Sequence, residues 1–377
     1  LLLSIIIASC ATPKPGIVEI PEQDNQTPIF YSGNEVSFKL NGDLLYKLNS
    51  FGSTDVLSSE GKLHGTKLEV NNIFNNPFGE FDYSYSLEPS LSFSGRYLAK
   101  ANDDFSLFSI RFNRNVDVDI VESSNLENIY TYTLTLPKTE YKEEKYQIPW
   151  SLNDDGFFGL LNDSLYKFYP SDKSSIQLLA KDGINYFSVS QSEKYIAICT
   201  SDSLFIYQMG NNNNDLSYSI YKSRGIDYDY IKMFSWFEDE SKLSFTSGWS
   251  IIIYDIQNDK IEELDVGGKV FSLEWIDKNQ LLFVSGEYPS DMSSMQSNKN
   301  YSINVYSFLS KKYFNIHSRI NHEPFSVKPR LSPSKKLILF SEKKLNGPYQ
   351  VKLMSLDGKN ENILSEGYLP FWGNIYK

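Results

Sequence analysis

The sequence predicts an all-β chain built from a repeated unit of four short strands, and four observations carry that prediction. Residues 331–365, LSPSKKLILFSEKKLNGPYQVKLMSLDGKNENILS, alternate apolar strand patterns with turn signals. The same order recurs along the chain. No segment carries a long apolar pattern of helical period. Aromatic residues make up 15% of the chain, which suits strands and supplies large buried area.

In chain order, residues 28–48 (PIFYSGNEVSFKLNGDLLYKL) read as strands b, c and d with no strand a before them. Residues 51–86 fit no unit. Full a-b-c-d units follow at 87–123, 147–180, 183–222, 229–265, 269–316 and 331–365. The 229–265 unit is the clearest, with FEDES and QND as its turns. The 269–316 unit carries an insertion, YPSDMSSMQSNK, between b and c. The terminal GYLPFWGNIYK reads as a strand a that completes the unit begun at 28–48. One four-stranded sheet cannot bury both faces alone, and radial stacking solves this, so the unit predicts a single β-propeller. Its ring would be closed by pairing the N- and C-terminal strands, which also removes two sheet edges. The count comes to about seven blades, with six and eight left open by residues 51–86. Gly42, Gly95, Gly156 and Gly358 are placed where hairpin turns call for positive φ. Ser32-Gly33, Ser247-Gly248 and Ser285-Gly286 fall in the b–c loops, where turn chemistry is the simpler reading than a ring of ligand loops.

Leu331-Ser332-Pro333-Ser334-Lys335-Lys336-Leu337 resembles the W-S-P-D-G-K-K-L start of the WD40-like repeats of the TolB propeller. Leu356-Asp357-Gly358 is similar to its D-x-D-G turn, Ile363-Leu364 to its R-x-L-T end, and Pro370-Phe371-Trp372 to its P-x-W entry into a blade. Residues 150–156 hold a second partial copy. The resemblance is specific over 325–372, and most units lack the Pro-Asp-Gly core. It implies a propeller that makes protein contacts in the cell envelope. It carries over no contact residue, and the α/β domain that precedes the family's propeller has no counterpart in the sequence.

The first residues, LLLSIIIASC, are too short to span a bilayer and read as the apolar core of an export signal. They start with Leu and lack a basic n-region, as the remainder of a longer signal would. Ile7-Ala8-Ser9-Cys10 resembles a bacterial lipobox, which implies lipidation of Cys10 and stable anchoring by more than one acyl chain. The predicted organisation is a signal segment at 1–10, a polar, Pro-rich tether at 11–27 and a propeller at 28–377. Ala11 offers no inner-membrane retention residue, so the outer membrane, facing periplasm or cell surface, is the preferred site. Cys199, inside YIAICTSD, is expected as a buried, unpaired thiol.

Net charge is −11, and no basic block opposes it, so nucleic acid is not an expected partner. The sequence shows no G-x-S-x-G elbow, no G-x-G-x-x-G and no phosphate-binding loop. His317 and His322, with Glu323, could hold a metal in principle, but solvated loop residues are the simpler reading. Acidic turns at Asp103-Asp104, Asp154-Asp155 and Glu238-Asp239-Glu240 could serve glycosidic or calcium chemistry, yet they are ordinary hairpin turns. Asp117 and Asp119 are expected to face solvent. Trp150, Trp236, Trp275 and Trp372 each end or follow a strand a, next to the first turn, and inter-blade packing is favoured over an exposed aromatic mouth. Trp249, placed at the start of strand c, is the separate candidate anchor for a partner. The sequence thus points to a non-catalytic, membrane-anchored scaffold that binds an envelope protein and needs no cofactor or metal. An enzyme or binding protein acting on a glycan or peptide at the channel mouth stays as the alternative.

Overall fold

The structure, a computed structural model, describes residues 29–32, 45–48, 54–57, 63–64, 86–87, 90–92, 96–101, 115–122, 128–135, 145–146, 148–153, 155–162, 164–180, 183–200, 203–209, 216–222, 231–247, 249–287, 300–320, 322, 327–343, 349–366 and 368–372. All its regular elements are strands, and among the described residues no helix is long and apolar enough to cross a membrane. Four sheets are plain antiparallel meanders of strands a, b, c and d. The first runs Tyr186–Val189, Tyr195–Cys199, Ser203–Gln208, Leu216–Lys222 and the second Ile231–Trp236, Lys242–Ser247, Ser250–Asp255, Lys260–Asp265. The third runs Lys269–Asp277, Gln280–Glu287, Asn300–Ser307, Lys312–Ile320 and the fourth Arg330–Leu331, Leu337–Lys343, Tyr349–Ser355, Glu361–Glu366. These match the units expected at 183–222, 229–265, 269–316 and 331–365.

A fifth sheet orders Tyr368–Trp372, Ile29–Ser32, Leu45–Leu48, Thr54–Leu57 and Leu63–His64. Ile29 pairs Trp372 and Phe30 pairs Phe371, antiparallel, so strands from both ends of the described chain share a sheet. The neighbour of Ile29–Ser32 on its other side is Leu45–Leu48, and that pairing is parallel. The strand c expected near residues 35–40 lies outside the described residues, and the unassigned stretch 51–86 supplies two strands of this sheet.

The described residues thus carry five separate blades rather than about seven. The units expected at 87–123 and 147–180 do not stand as two of them. Ser90–Leu91, Tyr97–Ala101, Asn115–Glu122, Asn128–Thr135, Phe157–Leu161, Ser164–Tyr169 and Ser174–Ala180 form one seven-stranded sheet, joined in its middle by the single pair Leu160↔Thr135. The 115–122 strand is third in this series, not last. Its side chains explain why. Asn115, Asp117 and Asp119 bond the directly opposite Thr135, Thr133 and Thr131 at 2.7, 2.6 and 2.6 Å. Such cross-strand pairs fix register. Asp119 is therefore buried, against expectation, while Asp117 is exposed. Ser86–Leu87 and Lys145–Tyr146 form a separate parallel pair.

The apolar cores lie between sheets. Phe271, Leu282 and Ile303 pack with Ile338, Phe340 and Met354 of the next blade. Ile251 and Ile253 pack with Trp275, Leu281 and Phe283, and Ala197 and Leu204 pack with Leu243, Phe245 and Ile252. Strands buried on both sides follow from this, as in Leu337–Lys343, where six of seven residues are buried. Cys199 is buried and in no disulfide, and its thiol donates to the Thr200 carbonyl oxygen at 2.9 Å.

The turns carry the backbone strain. Gly358 has φ +74°, as the turn requires, and an added Cβ there would overlap the Ile316 carbonyl oxygen of the preceding blade. Gly156 owes its place to close approach, since a Cβ there would meet the Phe168 carbonyl. Ser285-Gly286 lies inside strand Gln280–Glu287 and not in a loop. In three a–b turns the positive-φ position is not glycine but Glu193, Glu240 and Lys335. Gly42 and Gly95 lie outside the described residues.

Gly358→Ala is expected to destabilise the fold by about 2 kcal/mol or more, because strain and overlap add. Gly183→Ala, at the same φ but with open space around it, should cost only about 1 kcal/mol. Urea denaturation of the two variants checks the order; equal losses would remove the overlap argument.

Candidate functional site

Tryptophans at the end of strand a tie neighbouring blades together. Trp236 Nε1 donates to Ser188 Oγ at 3.0 Å, Trp275 Nε1 to the Ser235 carbonyl at 3.1 Å, and Trp372 Nε1 to the Arg330 carbonyl at 3.3 Å. Each acceptor lies on strand a of the preceding blade. Trp150 stacks on Tyr97 and Trp236 on Tyr195, with ring centroids about 6 Å apart. Trp236, Trp275 and Trp372 thus pack between blades, as expected, whereas Trp150 packs against residues of the seven-stranded sheet, and none of the four lies in an open aromatic mouth.

Charged groups are buried in the same seams. Between the 269–320 and 330–366 blades, Glu342 accepts from the Tyr301 hydroxyl and pairs with Lys352, which also reaches Glu361 at 2.6 Å. His317 Nε2 lies 3.2 Å from the Tyr301 hydroxyl and its Nδ1 3.4 Å from Glu361, while Arg319 bonds Glu361 at 2.9 Å. His322 lies 3.8 Å from Glu342. Burial works to raise the pKa of Glu342, but His317, Lys352 and Tyr301 overcome it and hold the carboxyl far below its usual range. Burial, then Glu342, pushes the Tyr301 phenol up.

The sequence placed His317 on a solvated loop; it is instead buried in strand Lys312–Ile320, because this strand faces the next blade. Glu323 lies outside the described residues. Among the described residues no group of three or more His, Cys, Asp or Glu is placed to hold a metal ion. A second buried cation, Lys167, pairs with Asp155 at 2.8 Å and with Glu193 of the next blade at 2.7 Å. Glu240 reaches back in the same way to the backbone N–H and hydroxyl of Ser192. The acidic turns are therefore partly blade-to-blade ties, while Asp103, Asp104 and Asp154 lie outside the described residues.

One carboxyl on an inner strand is set apart. Glu274, on strand a of the 269–320 blade, accepts the Leu331 backbone N–H at 3.1 Å. Burial pushes its pKa up to about 7, against the opposing pull of Arg330, the Leu331 N–H and Lys335. Lys335 itself bonds Glu238 at 2.7 Å, joining the a–b turns of two blades that are not sequence neighbours. Sequence reasoning passed over Glu274, since an acid at an alternating strand position reads as solvent-facing.

Trp249 stands in the turn just before strand Ser250–Asp255 rather than within it, and it is 67% exposed. The residues that follow, Ile251 and Ile252, are fully buried, so the exposed ring sits on a fixed base. Cys10 lies outside the described residues.

No family model matches the chain, and no curated protein matches it. Solved structures do. The crystal structure of the eukaryotic initiation factor is similar with TM-score 0.50 and 13% identity, over 95% of this chain and 92% of that one. The putative TolB from Agrobacterium tumefaciens gives TM-score 0.45 and 15% identity over 64% and 84% of the two chains. TolB from Acinetobacter baumannii gives 0.45 and 15% over 85% and 78%. At these identities the likeness shows the fold alone, an all-β propeller of four-stranded blades.

Two outcomes follow from the seams. Trp275→Phe removes the N–H together with the pyrrole half of a buried indole, so lost hydrogen bond and cavity should add to about 2 kcal/mol or more in urea denaturation. Glu274 has a raised folded-state pKa, so its contribution to stability is full below pH 4.5 and is lost as pH rises through about 7. Between pH 5 and 8 the wild type should lose more melting temperature than Glu274→Gln, by about 2 °C or more. Identical pH profiles would show that Glu274 is ionised freely.

Proposed function

We propose that this chain is a TolB-like β-propeller lipoprotein that binds a protein partner in the bacterial cell envelope without catalysing a reaction. Cys10 carries the lipid, residues 11–27 form the tether, and residues 28–377 form the propeller, whose ring is closed through the sheet shared by the chain's two end strands. The observation that carries the reading is Trp249, a 67% exposed indole on a turn that leads into the fully buried Ile251 and Ile252. A large, rigid aromatic ring of this kind is a typical energetic centre of a protein interface. The envelope setting and the outer-membrane preference rest on the lipobox-like Ile7-Ala8-Ser9-Cys10 and the TolB-like repeat near residue 331.

The test is in-cell crosslinking of the full chain in a native host, followed by identification of what is captured. The reading expects one dominant envelope protein, lost on Cys10→Ala and reduced by about tenfold on Trp249→Ala. Unchanged capture by the Trp249 variant would remove that residue from the interface. No capture by a folded, correctly localised protein would turn attention to the second reading, a glycan- or peptide-acting protein at the channel mouth. Turnover of an envelope glycan or peptide by the purified chain would support it.

A further inference from the structure

The turns of two neighbouring blades gather lysines that stand apart in the sequence. In the 269–320 blade Lys278 lies in the a–b turn and Lys311 and Lys312 at the c–d turn, and the Phe308 N–H joins the two turns by donating to the Asn279 carbonyl at 2.9 Å. In the 330–366 blade Lys336 lies in the a–b turn, and its carbonyl accepts the Leu356 N–H of the c–d turn at 2.8 Å. The bond from the Leu331 N–H to Glu274 ties the two strands a just short of these turns, so all four turns lie at one end of the blade pair. The four lysines are exposed, and none of them pairs with an acid among the described residues. Lys335 and Lys359, in the same turns, are taken up by Glu238 and Asp357. Asp277 is the other acid of these turns, and it accepts the Asn279 N–H at 2.7 Å. A chain of net charge −11 thus carries a local excess of positive charge here.

Leu309 stands in the same c–d turn, just before Lys311 and Lys312. At 80% exposure it is the most exposed large apolar side chain among the described residues. Its neighbour Phe308 stacks on Trp275 at 5.5 Å and meets Tyr306 edge-on at 5.0 Å, so the turn is fixed from within while Leu309 is held out. Lys312 closes the strand ladder opposite Ser307, directly behind the turn. An apolar tip backed by cations suits a membrane interface, where the tip enters the headgroup layer and the ammonium groups stay at the phosphates. A free phosphate ion would answer the lysines and leave Leu309 in water.

We infer that this turn end of the 269–320 and 330–366 blades rests on a bilayer containing anionic lipid, with Leu309 in the headgroup layer and Lys278, Lys311, Lys312 and Lys336 against lipid phosphates. The contact needs neither Cys10 nor Trp249. Trp249 lies between strands b and c of the 231–265 blade, at the end opposite its a–b turn, so the contact leaves that indole facing away from the bilayer.

The test uses the full chain with Cys10→Ala, so that no acyl chain contributes, and reads sedimentation with vesicles of phosphatidylcholine alone or with about 40% phosphatidylglycerol. The anionic vesicles should bind about tenfold more tightly than the neutral ones, and the preference should vanish in about 0.5 M salt. Lys311→Glu combined with Lys312→Glu should abolish the preference. Leu309→Ser should weaken binding to anionic vesicles by about tenfold, whereas Ile320→Ser, an exposed residue at the far end of strand d, should leave it unchanged. Equal binding to the two kinds of vesicle, no binding to either, or equal losses from the Leu309 and Ile320 variants would overturn the inference. So would a Glu-rich decapeptide binding more tightly than the anionic vesicles, which would make this end a site for an acidic protein.

Discussion

Everything in this fold depends on blades touching blades. A four-stranded sheet with apolar residues on both faces has no stable existence in water by itself, and its cohesion comes from the seams. The cores observed here are seam cores: Phe340 is shared between two blades, and so is Phe245. Hydrogen bonding follows the same geography. The indole N–H groups of Trp236, Trp275 and Trp372 each find an acceptor on the preceding blade. A buried N–H without a partner would be costly, so these bonds select one angular setting of blade on blade as well as filling space.

The charged seam residues add specificity more than cohesion. Desolvating Glu342 and Lys352 costs about what their attraction returns, but removing either alone would strand a buried charge. The strained turns fit the same account. Glu193 and Glu240 take left-handed φ where glycine would be comfortable, and both spend their side chains on the preceding blade. Local backbone strain is accepted because the side chain at that position supplies a tie that glycine cannot.

Much of this was legible in the sequence, and the losses have physical causes. Four units from 183 to 365 were readable because tight turns punctuate strands of even length, and the strand-a tryptophans were readable because they recur in register. The 87–123 unit was misplaced because Asn115-Val-Asp-Val-Asp119 looks like a solvent-facing last strand until Thr131, Thr133 and Thr135 are seen opposite it. The seam network was hidden for a different reason. Alternation cannot reveal which polar residue of a doubly covered strand is buried, and Glu342 meets Lys352 across its own sheet but Tyr301 only through packing between blades. Trp249 was visible as a large aromatic beside a Ser-Gly turn, whereas Glu274 was not, because its partner Leu331 belongs to the next blade.

The sheet that unites Ile29–Ser32 with Tyr368–Trp372 has a consequence in time. Ile29–Ser32 and Tyr368–Trp372 stand at opposite ends of the described residues. During synthesis the first is complete long before the second, so that side of its edge stays unpaired until residues 368–372 arrive. Completing this sheet is therefore a long-range step that cannot proceed piecemeal along the chain, and its folding is paced by that late encounter.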